Sequence, residues 1–291
     1  MRAPAVLGAL FVVAASAAGV PASAQTTPAT GVRAAGMGGA FTAVADDASA
    51  VFWNPAGLAS GSFFSLVVDR NTFDDRSAAL IALGTPPVGI AYYRTAAGAL
   101  AASPHALVAH HAGITLLQSI GDRVAVGGTL KAVRGVVSSS GASAATTRFD
   151  TDIGVMVTGS LVKLGLTVRN LTQPSFRIPG GGETELERQV RAGFSLNTSR
   201  RTTAAADFDL TTTATARGDR RDAALGLEAN PMKKMWVRGG VHWNTASGGA
   251  APIGSVGASV AVYGSTMADA QISFGSADGD RGWGVGLRFV F

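Results

Sequence analysis

The sequence contains no cysteine, which excludes a disulfide framework, a thiol nucleophile and a cysteine-ligated metal. Charge is also scarce: Asp, Glu, Lys and Arg make up 15% of the residues, whereas 47% are hydrophobic. Beyond the N-terminal region there is no run of about 18 apolar residues, the length that a membrane-spanning helix needs. A chain this apolar must still hide its surface, and the remaining structure that a bilayer accepts is a closed β-barrel.

Basic residues outnumber acidic ones but do not form a nucleic-acid-binding patch. The 24 Lys and Arg residues contain no basic run and are interspersed with 19 Asp and Glu residues, which gives a net charge of +5. Nucleic acid is therefore not an expected partner. A mildly basic balance suits contact with anionic lipid head groups, so outer-membrane lipids are the expected surroundings.

Residues 1–24 have the features of a secretory signal peptide. Arg2 supplies a positive charge, residues 5–20 form an apolar region, and an A-x-A sequence at 22–24 marks the expected cleavage site. An uncleaved anchor is the alternative, but the polar residues that follow favour cleavage. We therefore predict an exported protein of the bacterial outer membrane.

From Ser62 onward, apolar residues alternate with small, polar or charged ones. At the end of the chain the apolar face carries Trp283, Val285, Leu287, Phe289 and Phe291. A period of two is typical of β-strands. A half-buried soluble β-sandwich has the same period. Segments of about 9 to 11 residues, with polar faces rich in Gly, Ser and Thr, favour a membrane barrel instead.

These segments predict an all-β fold, a transmembrane antiparallel barrel of about fourteen strands. Candidate strands lie near residues 62–70, 77–84, 87–96, 106–119, 123–136, 147–158, 161–170, 188–198, 201–212, 220–229, 234–244, 252–263, 266–275 and 282–291. Twelve strands are the alternative, because 77–96 and 105–119 are rich in alanine and alternate less cleanly. An even number is expected when both ends of the closed sheet lie on one side. The long insertion at 172–187 predicts an extracellular loop.

Residues 31–61 do not alternate and are rich in Gly and Ala. Asp46 and Asp47 predict the cap of a short helix from 48 to about 53, which Asn54-Pro55 would end. A compact segment too short to cross a bilayer fits inside the barrel, where the wall shields its backbone from lipid. The predicted divisions are a signal peptide (1–24), an N-terminal hatch in the lumen (25–61) and the barrel (62–291).

The sequences GVRAAGMGGAF at 31–41 and ADDASAVFWNPAGL at 45–58 resemble the N-terminal region of the FadL/TodX (OMPP1) family of outer-membrane transporters. The resemblance is dense there and extends to the rest of the chain only as a strand pattern. It implies a hatch that plugs a fourteen-stranded barrel, and the hatch motif matches Trp53, Asn54, Pro55 and Ala56. It also implies passive uptake of small hydrophobic molecules, such as fatty acids and aromatic hydrocarbons.

The related PorV-type barrels imply an alternative function, a structural or secretion-associated barrel that binds a protein partner. At 291 residues the chain is short beside typical family transporters. The long extracellular loops that form an outer ligand site are therefore expected to be missing, which favours this alternative.

Two further groups take their expected roles from known barrels. The final strand resembles the signal that the barrel-assembly machinery recognises, here at Trp283, Leu287, Phe289 and Phe291. In the resembled transporters a kink in the third strand opens a lateral exit, which would correspond to Pro86, Pro87 and Gly89. Prolines at the start of a strand also fit a simple turn.

The polar faces of the strands predict a lumen lined by ion pairs. The candidate lumen-lining residues are Arg169, Arg191, Asp207, Asp209, Trp236, Arg238, His242 and Arg288. Asp207 and Asp209 share a face, as do Asp150 and Asp152. A carboxylate pair can serve acid–base chemistry, but the nearby arginines favour ion pairing. Trp236 is expected to face inward, where it would line a ligand path.

The sequence predicts no enzyme chemistry, no cofactor and no metal site. No serine lies in a nucleophile motif with a placed histidine and acid. His110 and His111 are adjacent, so on a strand their rings point to opposite faces and cannot easily share a metal.

Overall fold

A computed structural model describes residues 30–99, 105–199, 201–215, 218–246, 252–276 and 280–291. The predicted signal peptide lies outside the described residues. None of the helices in these ranges is long and apolar enough to cross a membrane.

Fourteen of the strands form a closed antiparallel barrel, as the alternation predicts. In chain order the strands are β1 (Ser65–Phe73), β2 (Arg76–Thr85), β3 (Val88–Ala97), β4 (His105–Ile120), β5 (Val124–Ser139), β6 (Ala142–Thr158), β7 (Val162–Arg169), β8 (Ser175–Arg177), β9 (Glu183–Glu185), β10 (Gln189–Ser199), β11 (Thr202–Asp209), β12 (Thr213–Thr215), β13 (Gly218–Arg220), β14 (Asp222–Met232), β15 (Met235–Asn244), β16 (Ile253–Tyr263), β17 (Thr266–Phe274) and β18 (Gly282–Val290). The short strands pair as two separate hairpins, β8 with β9 and β12 with β13.

The barrel closes where β1 pairs with β18, from Ser65 opposite Val290 to Phe73 opposite Gly282. The prediction of fourteen strands is confirmed, and the alternative of twelve is wrong. The alanine-rich residues that made the count uncertain form β2, β3 and β4, which pair along their whole length.

Large apolar side chains lie on the outside of the barrel and small or polar ones on the inside. On β6, Phe149 is 82% exposed and the next residue, Asp150, is 2% exposed. On β18, Trp283 is 52% exposed while the neighbouring Gly284 is buried. A continuous exposed apolar face is unfavourable in water. It suits the hydrocarbon that surrounds a transmembrane barrel.

The two ends of the barrel differ in their connections. The end at which β1 begins and β18 finishes is called the terminal end, and its strands are joined by tight turns such as Pro86–Pro87. The opposite end, called the loop end, carries the hairpins β8–β9 and β12–β13.

The hairpin β8–β9 folds back onto the inner wall at the loop end. Phe176 is fully buried against Leu107, Val133 and Val137. A Cβ atom on Gly135 would lie 2.4 Å from the Phe176 ring. The insertion predicted as a loop at 172–187 is therefore an ordered hairpin anchored in the mouth of the barrel.

Short helices precede the first strand. They are α1 (Val32–Gly36), α2 (Ala50–Trp53) and a 3-10 helix (Pro55–Ser60). The predicted helix at 48–53 forms as α2 but begins after Ser49, which is its N-cap in place of Asp46 or Asp47. Asp47 instead accepts a hydrogen bond from the Ser49 backbone N–H at 3.0 Å.

The outward face can be tested at Leu227, which lies near the middle of β14 and is 50% exposed. We expect Leu227→Arg to lower the free energy of unfolding in a bilayer by about 2–4 kcal/mol, because a guanidinium near the midplane loses its hydration. Urea unfolding of protein folded into liposomes measures the effect, with Leu227→Ala as control. An arginine variant as stable as the alanine variant would contradict the lipid-facing position.

Candidate functional site

Residues 30–61, called the inner segment, lie inside the barrel. Helix α1 contacts β15 to β18 on one side of the lumen, while the 3-10 helix contacts β4, β5 and β6 on the other. Met37, Ala40 and Phe41 are fully buried. The segment therefore reaches from one wall of the barrel to the opposite wall.

Inward-facing glycines let the inner segment approach the wall closely. A Cβ atom on any of nine of them would lie within 3.2 Å of an atom of the segment. They lie on β2, β3, β5, β6, β7, β10, β14, β15 and β16, and they are Gly84, Gly89, Gly127, Gly154, Gly165, Gly193, Gly226, Gly240 and Gly257. We call this set the glycine belt. Sequence reasoning missed its role, although the belt glycines stand at every second position among the other lumen residues.

The predicted hatch motif meets the glycine belt directly. The Asn54 side chain is fully buried and donates to the backbone carbonyls of Thr42 at 3.0 Å and Val155, on β6, at 3.1 Å. Its Oδ1 accepts from the Ala56 N–H at 3.2 Å. A Cβ atom on Gly154 would lie 2.1 Å from that oxygen. Asn54 therefore joins two parts of the inner segment to the barrel wall.

Trp53 and Ala56 complete the motif on either side of Asn54. Trp53 Nε1 donates to the Thr30 carbonyl at 2.8 Å, which holds the start of the inner segment against α2. Ala56 packs on Ala125 and Met156 of the wall. Pro55 begins the 3-10 helix.

An ion-pair cluster ties the inner segment to the wall at the terminal end. Arg33 of α1 bonds to Asp46 at 2.5 Å, to Asp47 at 3.0 Å and to Glu228 on β14 at 2.7 Å. Arg238 on β15 bonds to Glu228 at 2.5 Å. Burial by itself raises the pKa of the Asp47 carboxyl, but Arg33, Arg288 and a hydrogen bond from Ser49 together outweigh burial and hold the pKa below its ordinary value.

The same cluster continues across two further strands. Asp269 on β17 lies 3.4 Å from Arg238 and 3.2 Å from Arg288 on β18. Arg288 also lies 3.8 Å from Asp47 of the inner segment. The structure thus places the predicted lumen residues Arg238 and Arg288 in one network.

A second network holds the middle of the inner segment. Asp207 on β11 accepts from the backbone N–H groups of Phe41 at 3.1 Å and Thr42 at 2.9 Å. Arg191 on β10 lies 3.3 Å from Asp207 and 3.5 Å from Asp209. The predicted pair of carboxylates is therefore bound to a guanidinium and to backbone donors.

Aromatic rings of α2 lie under arginines. The Arg169 guanidinium is 4.4 Å from the centre of the Phe52 ring and 5.8 Å from that of Trp53, and Arg191 is 5.7 Å from Trp53. Arg169 also donates to Gln189 Oε1 at 2.8 Å. Cation–π contacts of this kind are stronger when they are desolvated.

Sequence reasoning missed several lumen residues, among them Glu228 and Asp269 of the first network and Lys131 on β5. The Lys131 ammonium lies 2.7 Å from Asp152 and 3.1 Å from Asp150, the second carboxylate pair named from the sequence. It also donates to Asn170 at 3.1 Å. Lys131 on β5 is the cross-strand partner of Asp150 on β6, so an alignment of these two strands identifies it.

The remaining predicted lumen residues lie on opposite sides of the inner segment. Trp236 lines a cavity of about 760 Å³ at the terminal end, together with Arg33 and Arg238. His242 lines a cavity of about 40 Å³ toward the loop end, together with Trp53. The inner segment lies between these two spaces.

The residues proposed for a lateral opening lie at a turn. Pro86 and Pro87 connect β2 to β3, and Gly89 is paired with Gly84 on one side and Thr115 on the other. Strand β3 is paired with both neighbours from Val88 to Ala97.

The residues proposed as an assembly signal lie on the closing strand. Trp283 and Leu287 face outward and are 52% and 46% exposed. Phe291 follows β18 and exchanges two backbone hydrogen bonds with Phe64, at 3.2 and 2.9 Å.

No group of three or more His, Asp or Glu side chains in the described ranges is arranged to hold a metal ion. His110 lies on the outward face and His111 on the inward face, where it stacks on Tyr93 at 4.2 Å between ring centres.

Adjacent glycines on β15 test the glycine belt. A Cβ atom on Gly240 would lie 2.1 Å from the Met37 backbone carbon, whereas one on Gly239 would have its nearest neighbour at 4.0 Å. We expect Gly240→Ala to lower the free energy of unfolding by about 1–3 kcal/mol through overpacking. We expect Gly239→Ala to change it by less than about 0.5 kcal/mol. Urea unfolding measures the free energy of unfolding of each variant, and proteolysis measures how accessible residues 30–61 become. Equal effects of the two substitutions would contradict the close contact at Gly240.

No family model matches the chain, and no curated protein matches it. Solved structures do match. The CymD monoaromatic hydrocarbon channel superposes with a TM-score of 0.71 at 14% identity, covering 90% of this chain and 97% of that one. The toluene transporter TbuX of Ralstonia pickettii gives 0.65 at 13% identity, covering 89% and 97%. A FadL homologue of Pseudomonas aeruginosa gives 0.61 at 12% identity, covering 92% and 99%. The barrel and its strand count thus agree with the resemblance in residues 31–58, and the chain has the fold of FadL-type channels.

Proposed function

We propose that this protein is an outer-membrane channel through which small hydrophobic molecules, such as fatty acids and aromatic hydrocarbons, pass by diffusion. The observation that carries the proposal is a closed fourteen-stranded barrel with an apolar outside and a segment across its lumen. The fold shared with proteins named as a monoaromatic hydrocarbon channel and a toluene transporter supports it. An apolar solute crosses a polar membrane surface poorly, and a protein route removes that barrier.

In this proposal the inner segment is the hatch of the channel. Four rings pack edge to face: Phe41 on Trp53 at 5.9 Å, Trp53 on Phe52 at 5.5 Å, and Phe52 on Tyr93 of β3 at 5.4 Å. Such a strip offers an apolar solute the faces and edges of aromatic rings to contact. Because these rings are buried, the inner segment has to shift before a solute reaches them.

The proposal includes no bond chemistry. The carboxylates that the sequence places in pairs are engaged by Arg191 and Lys131. Carboxylates held in ion pairs stabilise the barrel wall and are poorly suited to proton transfer.

An exit through the wall near Pro86, Pro87 and Gly89 is part of the proposal. The two Cδ atoms of Leu58, in the 3-10 helix, lie 2.8 Å from where Cβ atoms of Gly84 and Gly89 would be. A movement of this helix away from β2 and β3 would leave space at the inner face of these strands.

We also propose that Trp283, Leu287, Phe289 and Phe291 are recognised by the barrel-assembly machinery. Trp283, Leu287 and Phe289 lie at outward positions of the strand that closes the barrel, and Phe291 directly follows that strand, which supports this role. The same residues then face the membrane lipids.

The hatch can be locked with a disulfide, since the chain has no cysteine of its own. A Cβ atom built on Gly84 lies 3.7 Å from the Ala48 Cβ, within the range of about 3.5–4.5 Å that a disulfide needs. We expect cells that produce oxidised Ala48→Cys/Gly84→Cys protein to take up toluene and oleate at the rate of cells without the protein. Reduction should restore uptake to the wild-type rate.

Each single cysteine variant serves as a control and should transport in both redox states. Wild-type uptake no faster than that of cells lacking the protein would overturn the proposed function. Full transport by the oxidised double variant would overturn the hatch role alone.

A second candidate function is a PorV-like barrel that binds a protein partner. The observation that favours it is the hairpin at the loop end, where Phe176 is buried in the mouth while Arg177, Gly181 and Glu183 stay exposed and offer a contact surface. Affinity purification from detergent-solubilised outer membranes tests it. A stoichiometric partner retained by wild type, and lost when residues 177–183 are replaced by a Gly-Ser linker, would support this function; purification of the barrel alone would count against it.

A further inference from the structure

Asp, Glu, Lys, Arg and His residues are almost absent from the outward face of the barrel. At outward positions of the fourteen strands, the described residues include four, namely Arg70, Arg94, His110 and Arg134. All four belong to the first five strands, and the outward positions of the barrel strands from β6 onward carry none within the described ranges. Lipid-facing arginine is unfavourable in a barrel. We therefore expect a negatively charged group to lie against these four residues.

The four residues lie in one continuous cross-strand row. Arg94 on β3 is the partner of His110 on β4, and His110 is the partner of Arg134 on β5. On the other side, Ala79 on β2 is the partner of both Arg94 and Arg70 on β1. Strands lie about 4.8 Å apart, so Arg94 is about 10 Å from Arg70 and about 10 Å from Arg134 along the row.

The row lies toward the loop end of the barrel. Arg70 is three residues before the end of β1, and Arg94 is three residues before the end of β3. In the proposed outer-membrane orientation the two chain ends face the periplasm. The row then lies in the outer leaflet, within reach of its head groups.

An apolar groove lies beside this row on its membrane side. The next outward row contains Tyr92, Ala112, Ala132 and Phe149, which are cross-strand neighbours in that order. The two alanines form a shallow floor between larger side chains, and the resulting cavity has a volume of about 1000 Å³. Tyr92 Oη lies 2.7 Å from His110 Nδ1, which joins the groove to the basic row.

We propose that the basic row and the groove together bind a phosphorylated glycolipid of the outer leaflet, with the chemistry of lipid A. Its phosphates bind Arg94 and Arg134, and an acyl chain lies over Ala112 and Ala132. Guanidinium groups bind phosphate with two parallel hydrogen bonds, and the spacing along the row suits a lipid with two separated phosphates. The apolar floor accounts for the acyl chain, which a free phosphate lacks. The site is separate from the lumen and depends on the proposed membrane, not on transport.

Native mass spectrometry of the purified full-length protein, titrated with lipid A in detergent, tests the site. We expect wild type to bind one lipid A, and Arg94→Gln/Arg134→Gln to bind it at least tenfold more weakly. Arg148→Gln is the matched charge control, because Arg148 is exposed near the loop end but outside the row; it should bind like wild type. Heat-modifiable migration on gels verifies that each variant is folded.

The groove is tested in the same way by filling its floor. Ala132→Leu should weaken binding several-fold, whereas Ala270→Leu, on the outward face of β17, should not. Equal binding by wild type and the double arginine variant would overturn the proposal. So would phosphatidylglycerol binding as tightly as lipid A, because any anionic lipid would then suffice. Toluene uptake, measured separately, reports on the channel function and not on this site.

Discussion

Backbone hydrogen bonding in hydrocarbon is the constraint on which this structure depends. An open sheet would leave one row of N–H and C=O groups without partners at each edge, and lipid offers none. Pairing of β1 with β18 removes both edges. Closure with fourteen strands then fixes the circumference, and the circumference fixes the width of the lumen.

The fixed width of the lumen limits the size of the segment that can fill it. The inner segment reaches both walls, and at nine positions the wall carries only a glycine where the segment contacts it. Larger residues opposite the backbone of the segment, as at Gly127 and Gly240, would force the segment out or the strands apart, since a closed sheet yields little. The close packing of the inner segment therefore requires both the belt glycines and the small residues of the segment.

The buried ion pairs fix the orientation in which the inner segment packs inside the barrel. Removing ions from water is costly, and pairing them recovers that cost only with good geometry. Arg33 finds carboxylates on the inner segment and on β14 at once, while Asp207 binds backbone N–H groups of the segment. A segment inserted in another orientation would leave these charges unpaired, so the networks select one arrangement.

The strand pattern was predictable because alternation is a local property of the sequence. The period of two predicts the number of strands and the inward positions of Arg238 and Asp207. The two prolines predict the turn before β3. Partners across strands were not predictable, because register is set by the closed sheet. Lys131 opposite Asp150 is visible only when β5 and β6 are aligned. The ordered hairpin at Phe176 was missed for a related reason, since its buried ring depends on a glycine 41 positions earlier in the chain, Gly135.

The seam between the first and last strands also limits how the molecule is made. The inner segment comes before β1 in the chain, yet it is enclosed by a ring that exists only once β18 has joined β1. Entry through a completed wall would require breaking that ring. The segment therefore reaches the lumen either through an end of the barrel or before the final pairing of β18 with β1 encloses it.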